Sequence, residues 1–369
     1  MSANGKANGN GHGSSHGVPL SPPRRFWLGG ATGFLGSHLL RLLGDLGHHV
    51  VATSKRGGDG VSAVDVLDAD AVAESARGME GAFLTTGRVS RDPKDAEALH
   101  RINVTGVRTA LTGLRRAGVR RVVVASTSGT IALGEDPDEI FDEHSDAPLD
   151  LIARFPYYRS KYYGEREALD ANAPPDFEVV VVNPSLLLGP GDLRESSTGD
   201  VRKFLERDIP AVPSGGMAFV DARDAALGML LAFERGEAGE RYLLNGKNLT
   251  VQAFFQRLER MTGVRAPRLK LPANRALALG LNDVFSRAVR RIGGEPSVDP
   301  VSVEMAQYYW YCSSEKAERE LGWTARDPGE TLRDTVEDLL ARGAAHPRAG
   351  SLEDSARRAL ESLRAAVRR

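Results

Sequence analysis

A chain of 369 residues with a net charge of −1 can hold one large domain or two, and it has no basic excess to mark a nucleic-acid partner. Its single cysteine, Cys312, excludes an intrachain disulfide and suits a reducing cytoplasm. No apolar run approaches the ~18 residues of a membrane span.

In chain order, residues 1–24 are rich in Gly, Asn, Ser and His without an apolar core. They predict a disordered tail rather than a signal peptide. His12 and His16 read as solvated there, and no metal site is expected. Arg25-Phe26-Trp27-Leu28 then reads as a buried strand, and Leu35, Leu39, Leu40, Leu42, Leu43 and Leu46 follow at helical spacing. Between them lies Gly30-Ala31-Thr32-Gly33-Phe34-Leu35-Gly36. A glycine run on a strand-to-helix turn suits a dinucleotide. Gly30 permits the tight turn, Gly33 lets the backbone approach a pyrophosphate at the helix N-terminus, and Gly36 lets helix and strand pack closely. An ordinary Gly-rich turn is the plainer reading of these residues alone.

The next strand, 49–54, ends at Thr53, Ser54, Lys55 and Arg56, and the first acid beyond it is Asp59. An NAD site usually places an acid there for the ribose 2′-hydroxyl. Two hydroxyls and two cations suit a 2′-phosphate, so NADPH is expected ahead of NADH, unless Lys55 and Arg56 form only a solvated pair. Strands at 61–65, 81–86, 121–127 and 177–183 alternate with helices at 69–77, 93–117 and 157–172. This alternation predicts an α/β fold with a doubly wound parallel sheet, spanning a dinucleotide-binding domain at 25–184. Beyond it the pattern changes. Short strands at 217–220 and 241–244 and helices near 199–208, 221–236, 250–263 and 328–342 read as a smaller C-terminal substrate-binding lobe over 185–345, with chain crossing back to the large domain.

The segment Ala276–Ile292 is amphipathic, with Arg287, Arg290 and Arg291 late in it. It reads as a helix packed on the small lobe, a lid over an apolar substrate, or a membrane-surface contact. Residues 346–369 carry an additional helix, with Leu352, Ala356, Leu360, Leu363 and Val367 at helical spacing, for docking on the domain or on a second subunit as a homodimer.

Chemistry enters at Tyr157-Tyr158-Arg159-Ser160-Lys161. A phenol of pKa ~10 is a poor acid–base group at neutral pH. Lys161, four residues on and on the same helical face, would favour the phenolate and lower that pKa. The hydroxyl cluster Ser126-Thr127-Ser128-Gly129-Thr130 lies at the C-terminal end of a strand, the edge where open parallel sheets bind ligands.

With these motifs the chain resembles the extended short-chain dehydrogenase/reductase superfamily over about residues 25–342. Also shared are Asp65-Val66, Thr85-Thr86-Gly87, Asn103-Val104-x-Gly106, Asn183-Pro184-Ser185, Val220-Asp221-x-x-Asp224 and Glu320-Leu321-Gly322-Trp323. Dihydroflavonol 4-reductase-like proteins and hopanoid-associated sugar epimerases look most similar. The resemblance implies a Rossmann-type fold and a Ser-Tyr-Lys site. Tyr157 exchanges the proton, Lys161 tunes it and binds ribose, and Ser128 holds the substrate oxygen, with Thr127 and Thr130 as neighbouring alternatives. Asn103 supports the loop around the site. Gly30, Thr32, Gly33, Phe34, Leu35 and Gly36 cradle the cofactor. Ser54, Lys55, Arg56, Asp65, Val66, Thr85, Thr86, Gly87 and Pro184 complete its pocket.

One departure bears on substrate. Where sugar-nucleotide epimerases place a diphosphate-clamping Arg, this chain has Met217, although Asn183-Pro184 does match that branch. The expectation is an NADP(H)-preferring oxidoreductase acting on a ketone or alcohol of an apolar small molecule. A sugar epimerase with retained cofactor and a non-catalytic dinucleotide-binding scaffold are the alternatives.

Overall fold

Short apolar strands alternating with amphipathic helices bury their apolar faces by stacking helices on both sides of one sheet. The structure, a computed structural model, describes residues 22–291 and 299–346. The expected tail is therefore outside the described residues up to residue 21, and the expected C-terminal helix is outside them from residue 347.

The first half runs β1 (Arg25–Gly29), α1 (Phe34–Asp45), β2 (His49–Ser54), β3 (Ser62–Ala63), α2 (Ala69–Ser75), β4 (Gly81–Leu84), α3 (Ala96–His100), α4 (Gly106–Arg116), β5 (Arg121–Ala125), α5 (Leu149–Ile152), α6 (Pro156–Asp170) and β6 (Glu178–Pro184). The second half runs β7 (Leu186–Leu188), α7 (Gly199–Leu205), β8 (Gly216–Asp221), α8 (Ala222–Arg235), β9 (Arg241–Leu244), β10 (Lys247–Thr250), α9 (Val251–Thr262), α10 (Arg275–Arg291), α11 (Pro300–Met305) and α12 (Pro328–Ala341).

Seven strands form one parallel sheet in the order β3-β2-β1-β4-β5-β6-β9. The order reverses at β1 and β4, so a crevice opens at their C-terminal ends, directly above the glycine turn. One face carries α1 and α8 over a core built around Phe26, Phe83, Met229 and Phe233. The other carries α2, α4 and α6 over Trp27, Val72, Leu111 and Val181. The buried Trp27 indole donates to Ser75 Oγ at 3.0 Å, which satisfies its one polar atom.

A second sheet of three strands, β10-β8-β7, has its own core of Phe204, Phe219, Phe254 and Leu332, contributed mainly by α7, α9 and α12. Two pieces expected among the lobe elements belong to the large sheet. The helix expected at 221–236 is α8, which packs on α1, and the strand expected at 241–244 is β9, paired with β6. The helix expected at 93–117 is helical from 93 to 116 but not uniformly α. It contains a 3₁₀ turn (Pro93–Asp95), α3, a π-helical turn (Arg101–Thr105) and α4. The π turn pushes the Asn103 carbonyl against Gly164 of α6, where any Cβ would collide with it.

Candidate active site

A single cleft of about 1780 Å³ opens over the C-terminal ends of β1, β2, β4, β5 and β6 and continues along the second sheet. Its floor is the glycine turn. Gly30 has φ +85°, and a Cβ there would lie 2.7 Å from the Thr86 nitrogen, so the position needs glycine. A Cβ on Gly36 would collide with the Gly30 carbonyl, which makes Gly36 a packing residue outside the cleft lining. Gly33 is the N-cap of α1, and no side chain caps that end and no acid stands in its first turn. The free N–H groups there face the cleft with Thr32, Phe34 and Leu35 around them. An uncapped helix N-terminus of this kind favours an anion.

Ser54, Lys55, Arg56, Asp65, Val66, Thr85, Thr86, Gly87 and Pro184 all line the same cleft. Their states differ. Ser54 is buried and its hydroxyl donates to the Gly57 carbonyl at 3.4 Å. Lys55 pairs with Asp65 at 3.0 Å. Burial works to raise the Asp65 carboxyl, but the Leu67 N–H and Lys55 hold it below its usual range. Arg56 is exposed, and no ion pair is formed by it among the described residues. Of the two cations expected to meet a 2′-phosphate, Arg56 is the one with its charge uncommitted. Thr85 Oγ1 donates to the Gly29 carbonyl at 2.8 Å and so ties β4 to the turn.

α6 begins at Pro156, whose fixed φ and missing N–H suit a first helical turn, and this sets Tyr157 and Lys161 on the cleft face. Desolvation, and then the neighbouring Tyr158, push the Tyr157 phenol up from its ordinary value. The expected lowering by Lys161 is therefore corrected. The ammonium is committed elsewhere, donating to the Ala125 carbonyl at 2.7 Å. Burial brings Lys161 itself down to about 8, against the opposing pull of Glu165.

Glu165, one further turn along α6, was not legible as a site residue. It is buried and accepts from Ser126 Oγ at 2.5 Å, Asn183 Nδ2 at 2.7 Å, Thr130 Oγ1 at 2.8 Å and Arg241 at 3.2 Å. The spacing Tyr157, Lys161, Glu165 was the signal available for it. This network takes up Ser126 and Thr130. It also explains Asn183 as a structural donor, to Glu165 and to the Thr127 carbonyl at 3.1 Å, outside the cleft lining.

Two hydroxyls stand at the end of β5. Ser128 lines the cleft although it is only 5% exposed, and the buried Cys312 thiol of a separate apolar cluster lies beside its hydroxyl. Burial holds that thiol up at about 12, with the Ser128 bond pulling the other way. Thr127 is half-buried, lines the cleft, and its Oγ1 makes only a weak 3.4 Å contact with the Gly129 N–H. Its hydroxyl and that of Ser128 both stand at the cleft. Asn103 does not line the cleft. Its side chain accepts from the Arg88 N–H at 2.8 Å and donates to the Arg88 carbonyl and to Ser160 Oγ, both at 2.9 Å. It pins the loop after β4 to α6, so it is a positioning residue rather than a catalytic one.

Beyond Tyr157 the lining carries the apolar side chains Leu186, Met217, Phe254, Val301, Met305 and Trp310, and the cleft walls also hold the cations Arg194, Lys203 and Lys270. Tyr158 stacks near Trp310, with centroids 4.6 Å apart, and Gly129 leaves room for its ring. Arg91 also faces this half, but it pairs with Asp200 at 3.0 Å and donates to Ser302 Oγ at 3.1 Å. Burial works against the Asp200 charge, and Arg91 keeps the carboxyl below its usual range.

Comparison with known proteins agrees with this geometry. The model of the NAD dependent epimerase/dehydratase family matches residues 28–244. A Synechocystis sp. protein provisionally named dihydroflavonol 4-reductase is 33% identical over 84% of this chain and 93% of its own length. Sterol demethylase protein B of Methylococcus capsulatus is 32% identical over 85% of this chain and 98% of its own. A Stigmatella aurantiaca ketoreductase, named for a 3-oxo-4-farnesyl-dihydroquinoline-1-oxide, is 29% identical over 82% and 92%.

Proposed function

Because the chain belongs to the NAD dependent epimerase/dehydratase family, whose members are nicotinamide-dependent enzymes, we propose that it is an NADP(H)-preferring reductase of an apolar ketone. The observation that carries this reading is the group of apolar side chains in the cleft opposite the glycine turn. On one side lie the glycine cradle and Arg56; on the other, Leu186, Met217, Phe254 and Trp310. A sugar nucleotide brings a diphosphate, to which Met217 offers no charge and Arg91 only a guanidinium already neutralised by Asp200; Arg194, Lys203 and Lys270 are further cations of the lining. The Asn183 amide nitrogen, in the residue that favoured the sugar-nucleotide branch, is taken up by Glu165 and the Thr127 carbonyl. The names of the sterol and farnesyl-quinoline relatives support an apolar substrate in the same direction.

NADPH, when bound in the cradle, supplies a hydride. The protein's own part is to position the ketone and deliver the proton. Thr127 donates a hydrogen bond to the carbonyl oxygen where negative charge develops. Tyr157 gives its phenolic proton to that oxygen, leaving an alcohol. Burial keeps the phenol protonated at neutral pH, the state a donor needs at the start of a reduction. Lys161, one turn along the cleft face of α6, has donors beyond its bond to the Ala125 carbonyl, and these hold the ribose. Ser126, Thr130 and Asn183 bind Glu165 and so fix α6 beside the end of β5.

Incubation with NADPH and a panel of apolar ketones tests the reading. Each ketone reduced should oxidise one equivalent of NADPH. Tyr157→Phe should abolish turnover and leave NADPH affinity nearly unchanged. Wild-type turnover in Tyr157→Phe would remove the phenol from the mechanism.

A further inference from the structure

We propose that the mouth of the cleft docks on an anionic lipid surface, with the N-terminal part of α10 and the segment before it as the contact. Of the nine exposed large apolar side chains among the described residues, four lie on α10 or just before it, Leu269 (66% exposed), Leu277 (54%), Leu281 (47%) and Val284 (66%), and Leu193 (75%) lines the same cleft. Four of these five, Leu193, Leu269, Leu281 and Val284, line the cleft, so the patch is the rim of its opening. Leu277, Leu281 and Val284 share one face of α10, at spacings of four and three residues. Ala278 and Ser286 are buried on the other. The exposed face is thus not the one by which the helix packs on the protein. An apolar rim continuous with an apolar cleft gives a water-insoluble ligand a path that never crosses bulk water.

Charge selects the kind of surface. Between Val264 and Arg291 the chain carries seven Lys and Arg residues against one acid, Asp283, in a protein whose net charge is −1. Arg287 pairs with Asp283 at 2.6 Å and Arg275 with Glu135 at 2.7 Å. Arg265, Arg268 and Lys270 remain exposed beside Leu269. The strip is held in place. The Leu269 carbonyl accepts from the Val212 N–H, and the Leu271 N–H donates to the Val212 carbonyl, both at 2.8 Å. Basic residues flanking exposed leucines are the pattern of an interfacial contact with acidic headgroups. Contact of this kind is with the surface, since no described helix is long and apolar enough to cross a membrane.

Co-sedimentation of the full chain with vesicles tests this without any ketone, so its failure leaves the reductase reading to its own experiment. The protein should sediment with vesicles of phosphatidylcholine plus phosphatidylglycerol, much less with phosphatidylcholine alone, and less as salt is raised. The double variant Arg268→Glu, Leu277→Glu changes two exposed residues outside the cleft lining. It should bind the anionic vesicles at least about tenfold more weakly while keeping wild-type NADPH affinity. Three results would each overturn the proposal. One is no binding to anionic vesicles. Another is equal binding by the variant. The third is a wild-type dimer in solution that the variant dissolves, which would make this face a contact between two copies of the chain.

Discussion

Replacing Arg56 by Ala tests how the cofactor is chosen. Arg56 is exposed at the end of β2 and lines the cleft where the adenine ribose of a dinucleotide is expected. A charge-assisted hydrogen bond to a phosphate contributes ~1.5–3 kcal/mol, so Arg56→Ala should weaken NADPH binding by about 10- to 150-fold and leave NADH almost unchanged. Lys55 should matter less. Its side chain is 67% exposed and already paired with Asp65, and a pair of that kind contributes ~0–1 kcal/mol. Lys55→Ala should therefore cost NADPH affinity only about fivefold or less. The double substitution should bring the two cofactors level. Fluorescence titration of all four proteins with both cofactors gives the four pairs of constants. Equal affinity of the wild type for NADPH and NADH would refute the reasoning, as would a larger loss from Lys55→Ala than from Arg56→Ala.

Thr127→Val should lower kcat by roughly 10²–10³-fold, the usual cost of a lost donor to a developing oxyanion. Ser128→Ala should cost less, because Ser128 is the more buried of the two cleft hydroxyls; the reverse order of effects would make Ser128 the donor. The pH dependence of cofactor binding should report Lys161. Its amine loses its proton as pH rises through about 8, so NADPH affinity should fall across that range in the wild type. In Lys161→Ala this step should vanish, and its persistence would assign it to another group.

Much of the fold was legible because its local signals agreed. The glycine run between an apolar strand and a leucine-rich helix, the expected strand 49–54 and the Tyr157–Lys161 spacing all depend on neighbours in sequence. Elements set by distant contacts were not legible. Leu186–Leu188 is three residues long and becomes β7 only through pairing with β8. The π turn at Arg101–Thr105 interrupts a good helical pattern against Gly164 of α6. The environment of the two hydroxyls was not legible for the same reason. Ser128 and Thr127 are adjacent and chemically alike, and both line the cleft, but Ser128 is buried beside Cys312, 184 residues further on. The effect of Lys161 on the phenol was misjudged because spacing sets the face of the helix, whereas the Ala125 carbonyl sets where the ammonium points.

The central claim, an apolar ketone rather than a sugar nucleotide, is tested most directly by calorimetry of the cofactor-loaded protein with a panel of UDP- and dTDP-sugars. Met217 offers a diphosphate no charge and Arg91 is already paired with Asp200, so Arg194, Lys203 and Lys270 are the lining cations left for one to meet. The account predicts weak binding or none across the whole panel. Micromolar affinity for any one of these sugar nucleotides would contradict it and favour an epimerase that retains its cofactor.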